Sequence, residues 1–350
     1  FALPLCSSIC HAMAATASTP PRRDSSLTPP MVAIMEGQAE EYRRALHSFK
    51  VCAQPGSADP SGEIPPHADI LVFGPTGSGK SSLIRTFYMA LHRTTNVPAD
   101  FSQRIIIQDT ATNEGTLKYV SAVIKPRKLD HRGATSSSAI ICHDTRGQIW
   151  MDEREQKQLG VILDGAIKDD CIVQQRNYRY ARLLWEFWRK DSELFPTEIL
   201  VRKNGLGTKP HALLFVFDGS KDEIPDGQEE TRFYREIIQQ CREKGYQYPQ
   251  VVLTRIDKVE EELAKEPGLQ DADRDLKLRQ ILDKKIEDVV MRLDISRNAV
   301  HFIENYHVSD GSLASLQRNV SVDFHAVKIL NQCVNNADSF VSQHLKTNGG

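Results

Sequence analysis

The stretch that most constrains this chain runs from Gly74 to Ser82, reading Gly-Pro-Thr-Gly-Ser-Gly-Lys-Ser-Ser. It is entered from the apolar run Ile70–Phe73 and left through Leu83–Ala90. An unbroken apolar run of this length reads as a strand buried on both faces, as in a parallel sheet. The residues after the loop read as a helix over Ser81–His92. Between them, Gly74-x-x-x-x-Gly79-Lys80-Ser81 fits the phosphate-loop pattern. Glycines at 74, 77 and 79 let the backbone curl so that several N–H groups converge on an anion. The helix start adds its positive end. Lys80 is expected to bring a point charge to the β- and γ-phosphates, and Ser81 to offer a hydroxyl to Mg²⁺, a hard ion that takes oxygen ligands. Pro75, Thr76, Ser78 and Ser82 complete the expected phosphate-binding segment. A fortuitous glycine-rich turn is the alternative, and the flanking strand and helix weigh against it. The loop alone does not separate GTP from ATP.

The rest of the chain supports an α/β reading. Further strands are expected at Gln103–Gln108, Lys118–Lys125, Ser138–Cys142, Ala212–Phe217, Gln250–Leu253 and Val300–Ile303. Of these, Lys118–Lys125 alternates and suits an antiparallel position at an edge. Helices are expected at Glu36–Phe49, Glu153–Ile167, Asp226–Lys244, Asp275–Leu293 and Asp323–His344. Strands alternating with helices of this length predict a doubly wound, mostly parallel sheet in a three-layer P-loop NTPase fold of the GTPase type, over residues 68–345. Residues 36–67 read as a helix and a linker, since Gln54–His67 holds four prolines and two glycines. Residues 1–35, rich in Ala, Ser, Thr and Pro, read as a leader or a disordered segment. The charged stretch Asp257–Arg297 reads as a solvated helical excursion.

Composition narrows the partners. The net charge of −2 over 350 residues gives no bulk basicity for nucleic acid or an anionic membrane. No apolar run is long enough to predict a transmembrane segment. Seven scattered cysteines without CxxC spacing read as reduced thiols of a cytoplasmic protein. Tyr178, Tyr180, Trp185, Phe187 and Trp188 sit among Arg and Lys, which could stack single-stranded nucleic acid, although helical spacing favours packing in a core or lid.

Two further motifs give the loop a nucleotide. Asp144, at the end of Ser138–Cys142 and its continuation, can hold a water of a Mg²⁺ shell, and Gly147 can bring its N–H to a γ-phosphate. Gln148, directly after this DxxG turn, is a candidate for orienting the attacking water, and Arg146 for an internal arginine finger. Thr254-Arg255-Ile256-Asp257 follows the strand QVVL in the [NT]-[KR]-x-D pattern. The Asp257 carboxylate can accept from guanine N1–H and the 2-amino group, a donor pair that adenine lacks. The stem of Arg255 can lie across the base. Thr254 replaces the commoner Asn and is expected to loosen the tie to the phosphate loop. A threonine is also needed to close on Mg²⁺; Thr112 is preferred over Thr110 and Thr116, with Thr135 next. Asp218 is expected to cap the turn after its strand, and His211 to be structural.

Taken in order, GPTGSGKSS, HDTRG, HALLFVFDGS, VVLTRID, FIENYH and LNQCVNNADSFV resemble the interferon-induced protein 44 family of P-loop GTP-binding proteins, over roughly residues 65–345. The resemblance implies a GTPase domain related more distantly to septins and dynamins. It also implies that Asn305-Tyr306 forms the last guanine-side loop, its backbone N–H groups meeting the base oxygen. His143 stands where the family has Cys, and Gln148 where it tends to have an apolar residue. The expectation is a Mg²⁺-dependent protein that binds GTP and GDP and hydrolyses GTP slowly, with a homodimer or protein partner completing the site. The rivals are a non-hydrolysing GTP-bound scaffold and an ATP-dependent P-loop enzyme.

Overall fold

The computed structural model describes residues 28–53, 64–105, 118–131, 133, 135–145, 147, 151–172, 197–201, 204–267, 270–306 and 318–348. Its strands are β1 (His67–Phe73), β2 (Lys118–Lys125), β3 (Lys128–Leu129), β4 (Thr135–Ser137), β5 (Ala139–Asp144), β6 (Cys171–Ile172), β7 (Ala212–Asp218), β8 (Gln250–Thr254) and β9 (Val300–Phe302). The helices are α1 (Pro29–Ser48), α2 (Lys80–His92), α3 (Ala99–Arg104), α4 (Glu153–Leu163), α5 (Gly227–Glu243), α6 (Ile256–Ala264), α7 (Asp271–Leu293) and α8 (Val320–Asn348).

One seven-stranded sheet runs in the order β6-β2-β5-β1-β7-β8-β9. The pairs from β5 through β9 are parallel, whereas β2 is antiparallel to β5 and to β6. β3 and β4 form a separate hairpin. Residues opposite each other in a parallel pair share a face, and successive residues alternate. Ile70 and Cys142 therefore face one way, Phe73 and Phe215 the other. On the first face α8 packs along α1 and α2, its Cys333 near enough to Cys142 for the two thiols to interact electrostatically. On the second, the Tyr234 ring of α5 sits 6.2 Å from Phe73, 6.3 Å from Phe215 and 4.8 Å from Phe217. Helices thus cover both faces, and β1, β7 and β8 are buried almost throughout, as their continuous apolar sequences require.

Several expectations change. α1 starts at Pro29, so residues 29–35, set aside as leader or disordered, form its first turns, with proline where its missing N–H costs nothing. The Lys125 ammonium, buried on β2, donates to the Leu46, His47 and Phe49 carbonyls and closes the other end of α1. Gln103 and Arg104 are helical in α3, not strand; Pro98 opens that helix and Phe101 packs its ring 4.7 Å from Tyr88. Residues 106–108 of that expected strand lie outside the described residues. α4 stops at Leu163 because Gly165, at φ +68°, turns the chain before Ile167. The charged stretch from 257 onward is no solvated excursion: α7 buries Leu278, Leu282, Ile286, Val289 and Leu293.

Candidate functional site

The glycine-rich loop leaves the carboxyl end of β1, beside the ends of β5 and β7, the crevice where open α/β sheets place ligands. Gly74 has φ +152°, and a Cβ there would lie 2.1 Å from the Val216 carbonyl oxygen of β7, so no side chain fits. Lys80 opens α2 with its ammonium buried, donating to the Gly74 and Pro75 carbonyls at 3.0 and 2.8 Å. Burial lowers its pKa to about 8, against the opposing pull of Asp144.

Ser81 Oγ donates to Asp144 Oδ2 at 2.5 Å. The register of β5 makes this meeting possible, since Asp144 stands opposite Val72, two residues before Gly74. Thr145 Oγ1 donates to the Val72 carbonyl at 2.8 Å and holds the strand end in place. Asp144 is buried, and its Oδ1 has no hydrogen-bond partner among the described residues. Burial raises its pKa, while Lys80 and the Ser81 and Thr145 contacts pull the other way. A buried carboxylate oxygen without a donor, beside a serine hydroxyl, is a hard-oxygen set that fits Mg²⁺. Gly147 then presses on the loop: a Cβ there would lie 2.4 Å from both Thr76 Cα and Thr76 Oγ1.

The second half of the crevice is wired to the same loop. Thr254 is fully buried, and its Oγ1 donates to the Ser78 carbonyl at 2.7 Å, with the Phe217 carbonyl at 3.2 Å. The threonine that stands in for the commoner Asn is thus tied directly to the loop, because β8 ends against it. Arg255, left-handed at φ +58°, sends one guanidinium nitrogen to the Gly77 carbonyl and another to Asp218 Oδ2, both at 2.6 Å. Asp218 Oδ1 accepts the Ser220 N–H at 3.0 Å, the turn cap expected of it. Asp257 follows in the first turn of α6. Asn305 Nδ2 donates to the Gly79 carbonyl at 3.3 Å. The Tyr306 amide, expected to face a base, is instead engaged by Thr86 Oγ1 at 3.1 Å.

Thr112, Arg146, Gln148 and the aromatic run 178–188 lie outside the described residues, as do Thr110 and Thr116. Thr135 sits in the β3–β4 hairpin and accepts from Arg127. The pairing of Asp218 with Arg255 was missed from sequence; the visible signal was an acidic residue ending β7 next to the strand that carries the [NT]-[KR]-x-D motif. A histidine cluster was also missed. Asp69 of β1 pairs with His67 and His143, each at 3.0 Å, and its N–H donates to His211 Nδ1 at 3.0 Å. Burial alone would raise the Asp69 pKa, but the His143 and His67 contacts hold it well below the carboxylate range. His211 is structural as expected, its charge suppressed by burial to a pKa of about 4. No family model matches the chain, and no curated protein matches it.

Proposed function

We propose that this chain is a Mg²⁺-dependent guanine-nucleotide-binding protein with a P-loop fold of the GTPase type, akin to the interferon-induced protein 44 family, that hydrolyses GTP slowly. One observation carries the reading. Segments from the ends of β5, β8 and β9 all converge on the one glycine-rich loop, through Asp144 to Ser81, Gly147 to Thr76, Thr254 to Ser78, Arg255 to Gly77 and Asn305 to Gly79. A phosphate cradle joined on one flank to a metal carboxylate and on the other to a base-selecting loop is what a nucleoside triphosphate requires.

Ser81 and Asp144 would hold Mg²⁺, which when bound neutralises charge on the β- and γ-phosphates. The chain's own groups supply the rest. The loop amides and the start of α2 bind the phosphates. Lys80 exchanges its own-loop carbonyls for phosphate oxygens, and the Coulombic gain restores full protonation of an ammonium whose pKa burial has lowered to about 8. Asp257 selects guanine through its paired acceptor oxygens, and Arg255, clamped between Asp218 and Gly77, presents its stem to the base face. Gln148 orients water. With so few groups acting on the water, turnover is slow until a partner or second copy completes the site.

Single-turnover hydrolysis of GTP and of ATP with Mg²⁺, beside Lys80→Ala and Asp257→Ala, tests the proposal. Turnover of GTP alone, abolished by Lys80→Ala and opened to ATP by Asp257→Ala, is the expected result. GTP bound but intact would replace the enzyme with a scaffold. Equal use of GTP and ATP, unchanged in Asp257→Ala, would remove guanine selection, and absence of nucleotide binding would overturn the whole reading.

A further inference from the structure

We infer that the buried Arg43–Asp323–Tyr306 bridge makes α1 a control arm of the base-side turn, with Arg43 and Asp323 as positioning residues for Asn305 and Tyr306; this rests on the reading of that turn as guanine-side. Asp323 lies at the start of α8 with a side chain only 2% exposed. Its Oδ2 receives Arg43 Nη2 of α1 at 2.9 Å and a contact from Arg318. Its Oδ1 receives the Tyr306 hydroxyl at 2.8 Å. One carboxylate is therefore shared by α1 and by the turn after β9.

Tyr306 is pinned at two ends, its hydroxyl to Asp323 and its amide to Thr86 of α2. Asn305, one residue earlier, reaches the phosphate loop through Gly79. Its Oδ1 is buried without a hydrogen-bond partner among the described residues, so the turn carries a spare acceptor beside the phosphate loop. The donor role of Nδ2 fixes which way the amide points, because Gly79 offers it a carbonyl. Arg43 in turn spans to α2 through the Ala90 carbonyl at 2.8 Å.

Packing α1 on α8 does not need an ion pair. A buried guanidinium and carboxylate lose much of their hydration, and apolar residues of similar volume hold helices together as well or better. What the ionic version adds is shared geometry: moving α1 withdraws one of the two cations, Arg43 and Arg318, that hold the carboxylate on which Tyr306 hangs. Burial also lowers the Arg43 pKa, the mark of a charge kept in a site that would rather lack it. Since coupling between two sites is reciprocal, a ligand that orders the turn must tighten the docking of α1 by the same factor.

The full chain with Mg²⁺ serves for the test, with GDP and inorganic tripolyphosphate as probes. Arg43→Met removes the charge and keeps the stem, and Tyr306→Phe removes only the hydroxyl. Calorimetric titration is expected to show GDP binding weakened about tenfold in each, the scale of one charge-assisted hydrogen bond, with tripolyphosphate binding held. Hydrogen exchange is expected to slow in α1 when GDP binds the wild type, and not in Arg43→Met. Unchanged GDP affinity in both variants, or equal losses for GDP and tripolyphosphate, would overturn the inference. If Arg43→Met does not fold, Tyr306→Phe decides alone. A wild type that binds GDP no better than tripolyphosphate would instead sink the guanine reading, and this inference with it.

Discussion

Thr254→Val removes one hydroxyl and almost no volume from a side chain that is fully buried. The hydroxyl has one proton, and the 2.7 Å distance to the Ser78 carbonyl makes that its principal acceptor over Phe217 at 3.2 Å. Ser78 is itself buried, so the substitution leaves a buried carbonyl without this donor and sets a methyl group against it. An orphaned buried acceptor costs about 2 kcal/mol, which lowers the melting temperature of a chain of this size by roughly 3 °C. If the tie must be in place for nucleotide to bind, the same 2 kcal/mol bounds the loss of GDP affinity at about thirtyfold. Melting followed by circular dichroism, with calorimetric titration of GDP, measures both. Thr254→Ser keeps the hydroxyl and should retain most of the stability despite its lost methyl. A Val variant that melts with the wild type, or a Ser variant that melts with Val, would show that the bond between β8 and the loop contributes nothing.

The other predictions concern charge and space. Lys80 has a folded pKa of about 8 against an ordinary 10.5, so between those pH values the unfolded chain holds a proton that the folded chain has lost. Stability contributed by this site therefore rises with pH through that window, and the burial cost is fully present below it. Lys125 shifts in the same direction, to about 8, so the measurable quantity is the stability of wild type minus that of Lys80→Met, followed by urea unfolding from pH 8 to 10; a flat difference would refute the shift. In Gly147→Ala the new Cβ would start 2.4 Å from the Thr76 backbone, and ordinary contact at 3.4 Å demands a displacement of about 1 Å. Overpacking of this kind costs about 1–3 kcal/mol, and weakened tripolyphosphate binding is its expected signature; unchanged binding would mean the two segments give way freely.

Local pattern carried much of this architecture. Unbroken apolar runs announced β1, β7 and β8, because strands buried on both faces need no alternation. The glycine-rich loop and the DxxG turn were visible as spacings, and the structure brings Ser81 to Asp144 and Thr76 to Gly147. What stayed hidden were polar residues whose partners lie far away in sequence. Arg43 looked like one more charge on an amphipathic helix, yet it reaches Asp323 across the core. Lys125 ends a strand read only as alternating and suited to an edge, yet it closes α1. Asp69 interrupts no pattern that periodicity detects, although it gathers His67, His143 and His211. The tie from Thr254 to the loop was hidden for another reason: it depends on how near β8 ends to Ser78.

The two helices that share Asp323 also run the same way. Arg43 stands beside the start of α8, while Cys52, just past α1, donates its N–H to Asp338 further along it. α8 continues to Phe340, which stacks on Tyr246 at 4.4 Å beneath the amino ends of the strands. At about 1.5 Å per residue, the turns of α1 before Arg43 climb toward the edge of the sheet that carries the glycine-rich loop. The molecule thus has a front and a back door. The start of α1 therefore lies on the side of the sheet that carries the glycine-rich loop. The later turns of α8, at Phe340, lie at the opposite edge, against Tyr246.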